Sequence, residues 1–276
     1  MSFELIFLDL DGTLTDDEKR ITEKTRRALM GAQDSGIRLV LASARPAPGL
    51  YRECDALSMR QYNGILMSYN GGSIDSASTG EVFFKTAMEK EQARKLLSLL
   101  SDLPVTPILD DGVEFIVRDK NGYKVQFESR NNCMSCREAE DLSAALTFDP
   151  VKILLSMLPE HLPSLQEEIR RRVREAGVEN ISVVQTAPFY LELIPSSIHK
   201  GKGLLDVCRI LGVSPLNTLA FGDSENDIPM LREAGIGVAM GNAAEQVRSS
   251  ADFVTLDNNS DGIAYALERF IPARIS

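Results

Sequence analysis

The sequence predicts an α/β protein: a doubly wound, mostly parallel sheet assembled from both ends of the chain around an inserted α+β module. Three observations carry that expectation. Apolar runs and amphipathic helical stretches alternate from the first residues; after about residue 82 the texture changes to short alternating strands; the first rhythm resumes near residue 195.

Residues 3–8 form a short apolar run that reads as a buried strand. Thr22 is placed to open an amphipathic helix with Ala28, Leu29 and Ala32 on one face, ending near Gly36. Residues 37–42 read as a second buried strand. Residues 57–66 then lead into Met67-Ser68-Tyr69 and Asn70-Gly71-Gly72, a strong hairpin signal.

The inserted module is expected over residues 83–190, with 1–82 and 191–276 forming the Rossmann-like core. Helices are predicted over 89–100 and 160–176, with an acidic helix near 137–145. Strands are predicted at 105–109, 114–117, 123–127, 152–157, 181–185 and 190–194. Past residue 195 come a helix over 203–211, a strand at 218–221, a helix over 228–234 and a strand at 235–240. A strand near Phe253 and a helix over 263–270 complete the pattern.

A chain of 276 residues can bury a real core as one large or two modest domains. Its formal charge of −10 disfavours nonspecific nucleic-acid or anionic-membrane partners. No basic segment followed by an apolar one is visible at the start. No apolar run approaches the roughly 20 residues that span a bilayer. Four cysteines are scattered apart from one pair, so a reduced cytoplasm is expected.

Two acidic clusters carry the chemistry. Asp9-Leu10-Asp11-Gly12-Thr13-Leu14 follows the first apolar run. Carboxylates spaced i, i+2 leave a strand end together; Gly12 supplies a turn, and Thr13 can hydrogen-bond locally. Such a tip, with free backbone N–H groups, suits a hard cation and a phosphate. Phe221-Gly222-Asp223-Ser224-Glu225-Asn226-Asp227 again ends an apolar strand, and its two acids four apart can share one cation site.

The first string resembles the first motif of the haloacid dehalogenase-like (HAD) phosphohydrolases, and the second matches the fourth motif of that family, GDxxND. The resemblance implies that Asp9 attacks phosphorus and becomes an aspartyl phosphate. Asp11 would protonate the leaving oxygen and then activate water. The ion-pumping ATPases of the superfamily carry Thr at the second position, so Asp11 favours a phosphatase or phosphomutase. Mg2+ is the implied cofactor, held by Asp9, the backbone carbonyl of Asp11, and Asp223, with Asp227 supporting the metal shell. Asn226 would lie at the phosphate.

Ser43-Ala44-Arg45 follows an apolar strand and resembles the second motif, in which Gly is usual where Ala44 stands; the loop must then avoid positive φ at that residue. Lys200 resembles the third-motif lysine that offsets the charge of phosphate and nucleophile. Phosphate and substrate contacts are thus expected at Leu10, Ser43, Ala44 and Arg45, and at Lys200 and Asn226. Asn70 and Gly71 match the family's Asn-Gly turn and are expected to approach the substrate. The inserted module resembles the type C2B cap of the Cof-like IIB subfamily, whose members act mostly on small phosphorylated metabolites.

Other features are set aside. The glycines of 235–241 have the wrong spacing for a dinucleotide loop and read as strand. Cys133 and Cys136 lack a second Cys/His pair for zinc. Arg170, Arg171, Arg172 and Arg174 share a helix with Glu167, Glu168 and Glu175, a solvated ion-paired face. Neither His161 nor His199 is given a catalytic role. The expectation is therefore a Mg2+-dependent phosphatase of small metabolites, a monomer or weak homodimer. A phosphomutase and a phosphate-sensing regulator that does no catalysis are the rival readings.

Overall fold

The computed structural model describes residues 3–271. In chain order the first elements are β1 (Leu5–Leu8), α1 (Glu23–Asp34), β2 (Arg38–Ala42), α2 (Tyr51–Ala56), β3 (Ile65–Ser68), β4 (Ser73–Ser76) and β5 (Val82–Lys85). The inserted stretch holds α3 (Lys90–Leu99), β6 (Thr106–Asp110), β7 (Glu114–Val117), α4 (Val125–Asn132), β8 (Ser135–Glu138), α5 (Leu142–Ala145), β9 (Ile153–Ser156), α6 (Leu162–Glu175), β10 (Ile181–Ala187) and β11 (Tyr190–Pro195). The chain continues through α7 (Lys200–Leu211), β12 (Thr218–Gly222), α8 (Ile228–Glu233), β13 (Ile236–Ala239), α9 (Glu245–Arg248), β14 (Phe253–Val254) and α10 (Gly262–Phe270).

Two compact units result, one from the described parts of residues 1–84 and 199–276, the other from residues 85–198. The expected return point at residue 191 falls inside β11, which belongs to the inserted unit.

The first unit is built on a sheet ordered β14-β13-β12-β1-β2-β3-β4-β5. β14 through β3 run parallel, and β4 turns back antiparallel on β3. Alternation divides the strand side chains between two faces. Ile6, Leu8, Leu39 and Leu41 join Ala28 and Leu29 of α1 and Ile263 and Leu267 of α10 in one apolar layer. Leu5, Phe7, Val40 and Ala42 join Leu204 and Val207 of α7 and Met230 and Leu231 of α8 in the other. Thr22 caps α1 by accepting the Thr25 N–H at 3.3 Å, as its position before the amphipathic run leads one to expect. This is the doubly wound α/β sheet that the sequence predicts.

The inserted unit has a sheet ordered β10-β11-β9-β6-β7-β8, antiparallel except for β7 beside β8. Leu109, Ile116, Ile153, Leu155, Leu191 and Leu193 pack on α3 and α6. The opposite face carries Ile108, Phe115 and Leu154 against Val125 of α4. No described helix is long and apolar enough to cross a membrane.

Two expectations in this unit fail. Residues 123–127 are not a strand: a turn at Asp119–Gly122 leads into α4, which buries Val125, Glu128 and Asn132 at helical spacing. The apparent alternation of Tyr123, Val125 and Phe127 is part of a helical pattern that continues past it. The acidic helix near 137–145 is instead β8 followed by the single turn α5. Strand β8 pairs with β7 in register Phe115↔Cys136, and Asp141 caps α5 by accepting the N–H groups of Ser143 and Ala144. Long-range strand pairing overrides local helix propensity there.

Candidate active site

Strand β1 lies between β12 and β2, and Leu8 is level with Phe221 on one side and Leu41 on the other. The residues just past these parallel strand ends, Asp9, Ser43 and Asp223, therefore emerge along one edge of the sheet. Strand order runs outward from β1 in both directions, to β2 and β3 on one side and to β12 and β13 on the other, which makes this edge a switch point of the kind where doubly wound sheets bind ligands.

The two acidic loops touch. Gly12 has φ of +84°, and a Cβ placed on it would lie 2.6 Å from Asp223 Oδ2. Only glycine combines that backbone conformation with such close approach. The Thr13 hydroxyl is not used locally: it donates to Asp223 Oδ1 at 2.8 Å. Asn242, which sequence reading passed over, donates from Nδ2 to the Gly12 carbonyl at 2.8 Å. The Leu10 carbonyl accepts the N–H groups of Thr13 and Thr15, so it folds the acidic turn.

Lys200 is the first residue of α7 and is fully buried. His199 caps that helix, its Nδ1 accepting the Lys202 N–H at 3.1 Å. The Lys200 ammonium donates to Asp9 Oδ1 at 2.5 Å and to Asp227 Oδ1 at 2.6 Å. Asp227 Oδ2 accepts the backbone N–H groups of Asp223 and Ser224, each at 3.0 Å. Asp227 thus fixes both the lysine and the loop that carries Asp223.

Electrostatics follow from this crowding. Burial first, then the neighbouring charge of Asp227, pushes the Asp9 carboxyl well above its usual range against the pull of Lys200. Burial likewise raises Asp223. Burial alone would lower Lys200, but Asp227 and Asp9 overcome it and raise the ammonium's pKa. Carboxylate oxygens of Asp9, Asp223 and Asp227 lie within 4.8 Å of one another. Three carboxylates facing one ammonium leave a negative excess that a divalent cation would offset, and all-oxygen donors suit Mg2+. The residues fit the implied ion.

Asp11 stands apart from that cluster. Arg45 grips it with Nε at 3.0 Å from Oδ2 and Nη2 at 2.7 Å from Oδ1, and Lys19 Nζ lies 2.7 Å from Oδ1. Burial works to raise Asp11, yet Arg45 and Lys19 more than offset it and hold the carboxyl below its usual range. No local pattern marked Lys19; only the fold brings it to Asp11.

Ser43 is buried; its Oγ accepts the Arg45 N–H at 3.2 Å, and its carbonyl accepts the Asn70 N–H at 2.8 Å. Ala44 is not among the described residues with positive φ, so the loop meets the restriction its side chain imposes. Asn226 Nδ2 donates to Asn70 Oδ1 at 3.1 Å, which joins the hairpin turn to the second acidic loop. Gly71 packs into α7: a Cβ on it would lie 2.8 Å from the Gly203 Cα.

Comparison with known proteins identifies the family. A family model described as haloacid dehalogenase-like hydrolase matches residues 6–267. A haloacid dehalogenase-like hydrolase from Bacteroides thetaiotaomicron is 34% identical, with a TM-score of 0.91 over 98% of this chain and 100% of that one. The structure of a HAD subclass IIB sugar phosphatase is 25% identical, with a TM-score of 0.79 over 97% and 98%. A 5-amino-6-(5-phospho-D-ribitylamino)uracil phosphatase of Bacillus subtilis is 27% identical over 98% of this chain and 97% of its own. The chain is a phosphatase belonging to the haloacid dehalogenase-like hydrolase family.

Proposed function

We propose that this phosphatase hydrolyses small phosphorylated metabolites, sugar phosphates or similar monoesters, in a Mg2+-dependent reaction through an aspartyl phosphate on Asp9. One observation carries the reading. Asp9 Oδ1 is held by Lys200, while Oδ2 has no hydrogen-bond partner among the described residues, so one oxygen is anchored and the other is available to phosphorus. The sugar phosphatase and the ribitylaminouracil phosphatase among its relatives support a small monoester as substrate.

Asp9, Asp223 and Asp227 would hold the ion, with the Asp11 backbone carbonyl beside them. When bound, Mg2+ offsets the charge of nucleophile and phosphate and orients both. Oδ2 of Asp9 forms the bond to phosphorus as the ester P–O bond breaks. Asp11, which Arg45 and Lys19 keep ionised in the free enzyme, must take up a proton as the ester binds, and it gives that proton to the departing oxygen. A water then attacks phosphorus, Asp11 takes the water's proton, and phosphate leaves with Asp9 restored. Lys200 holds Asp9 through both steps. Ser43, Ala44, Asn226 and the Leu10 backbone are assigned to the phosphoryl oxygens, and Arg45 and Asn70, with the turn at Gly71, to the rest of the ester. The inserted unit is assigned the role of a cap that sets specificity. The enzyme is read as acting in the cytoplasm as a monomer or weak homodimer.

The test is phosphate release from a panel of phosphorylated metabolites, with and without Mg2+, using Asp9→Asn as control. Magnesium-dependent release that the variant lacks is expected. Turnover retained by Asp9→Asn would sink the assignment.

A further inference from the structure

Lys19 lies outside every motif, yet its Nζ is 2.7 Å from Asp11 Oδ1. The loop that carries it is tied down from several sides. Asp16 Oδ1 accepts the N–H groups of Glu18 and Arg20, each at 2.9 Å. The Lys19 N–H donates to the Asp16 carbonyl, and Arg20 closes the loop by accepting the Asp16 N–H. Arg52 Nη2 donates to the Lys19 carbonyl at 2.8 Å, and Arg52 is itself anchored on the buried carboxylate of Glu53. Within this frame Lys19 sits at φ of +60°, a left-handed conformation that a side chain with Cβ adopts only when its surroundings impose it.

Stability does not explain this construction. The side chains of Lys19 and Asp11 are 50% and 40% exposed, and ion pairs that open to water add little. Orientation does. Asp11 Oδ1 receives two cations, Lys19 and Arg45 Nη2, whereas Oδ2 receives Arg45 Nε alone among the described residues. One oxygen is saturated and the other keeps a lone pair for a proton.

We propose that Lys19 is a positioning residue for Asp11, locking Oδ1 so that Oδ2 delivers the proton to the leaving oxygen and later takes one from water. This rests on the reading of Asp11 as the acid and base. Without Lys19 the carboxylate is held by the Arg45 fork alone, and proton delivery loses alignment while attack by Asp9 does not.

The test compares kcat/KM across phosphate monoesters whose leaving groups run from acidic phenols to simple alcohols. Acidic phenols depart without help, whereas alcohols need a proton. Lys19→Ala should lose about 10-fold on alkyl esters, less than the 10²–10⁴-fold that loss of the general acid itself would cost, with the loss shrinking as the phenol becomes more acidic. Lys19→Arg should restore most of it. A loss equal across the series, as a disturbed loop would give, overturns the proposal, and so does no loss. Asp11→Asn is run alongside: if it shows no dependence on leaving group, the acid/base reading itself fails and the proposal goes with it. A steep dependence in Asp11→Asn with a flat one in Lys19→Ala rejects Lys19 alone.

Discussion

Asp227 and Lys200 form an ion pair 2.6 Å long in which neither side chain has any solvent exposure. The pair joins the first turn of α7 to the loop after β12, because Asp227 also accepts two backbone N–H groups of that loop. Burying two charges is costly, and fixed geometry is what such a pair supplies here. Lys200→Met should therefore do more than remove a charge from the site. It leaves Asp9 and Asp227 buried without their cation, and the expected cost is about 3–5 kcal/mol of stability at neutral pH. Urea denaturation in EDTA would measure it. Lys200→Met should also lose at least about 100-fold in kcat/KM; a stable and active variant would show that the pair is dispensable.

The raised carboxyl of Asp9 makes the stability of the metal-free protein depend on pH. The folded state keeps a proton on Asp9 that the unfolded chain has already released, over a window from the ordinary carboxylate pKa of about 4 up to the raised value. Stability from this group is therefore full below that window and is lost as pH rises through it. Asp9→Asn cannot ionise, so its stability relative to the wild type should improve between about pH 5 and pH 7.5 in EDTA. Saturating Mg2+ should remove that trend in the wild type. Chemical denaturation at the two pH values gives the difference directly, and one that does not change with pH would contradict the crowding argument.

Gly12→Ala tests the contact between the acidic loops. The backbone strain at φ of +84° costs about 1–2 kcal/mol, and the new methyl would sit 2.6 Å from Asp223 Oδ2. The carboxylate must move, so the Mg2+ concentration for half-maximal activity should rise by about 10-fold or more. Titrating activity against Mg2+ in both proteins decides the matter. Unchanged metal dependence would mean that Asp223 is not held by this approach.

Much of the core and its site was legible because the informative residues are local to strand ends. Asp9, Ser43 and Asp223 each follow an apolar run, and parallel pairing then brings them together without further instruction. What could not be read was set by tertiary approach. The Thr13 hydroxyl crosses to Asp223, and Lys19 reaches Asp11 only because a loop closes on itself. Residues 47–56, which enter α2, and the short α9 carry too few periodic positions to announce a helix. In the inserted unit, Tyr123 and Phe127 alternate like strand residues, but α4 buries Val125 with Glu128 and Asn132. The helical period there becomes visible only over a longer window than the alternation suggests.

Gly203→Ala would probe how the hairpin after β3 sets the position of Lys200. Gly203 lies one turn into α7, and a Cβ on it would meet Met67 Sδ at 2.6 Å and the Gly71 Cα at 2.9 Å. The methionine can move, but the turn cannot easily do so: Tyr69 and Asn70 hold positive φ, and the Asn70 N–H is bonded to the Ser43 carbonyl. An added methyl must therefore push α7 away from the turn. Alanine is the better helix former by about 1 kcal/mol, so a helix free of this contact would be stabilised by the change. Overpacking costs about 1–3 kcal/mol, which predicts a net loss. The displacement acts on the turn of α7 that carries Lys200, so kcat should fall more than a surface change of equal destabilisation would cause. Thermal denaturation and steady-state kinetics on the same preparation test this together. A more stable and fully active Gly203→Ala would show that the hairpin does not constrain the helix that positions the lysine.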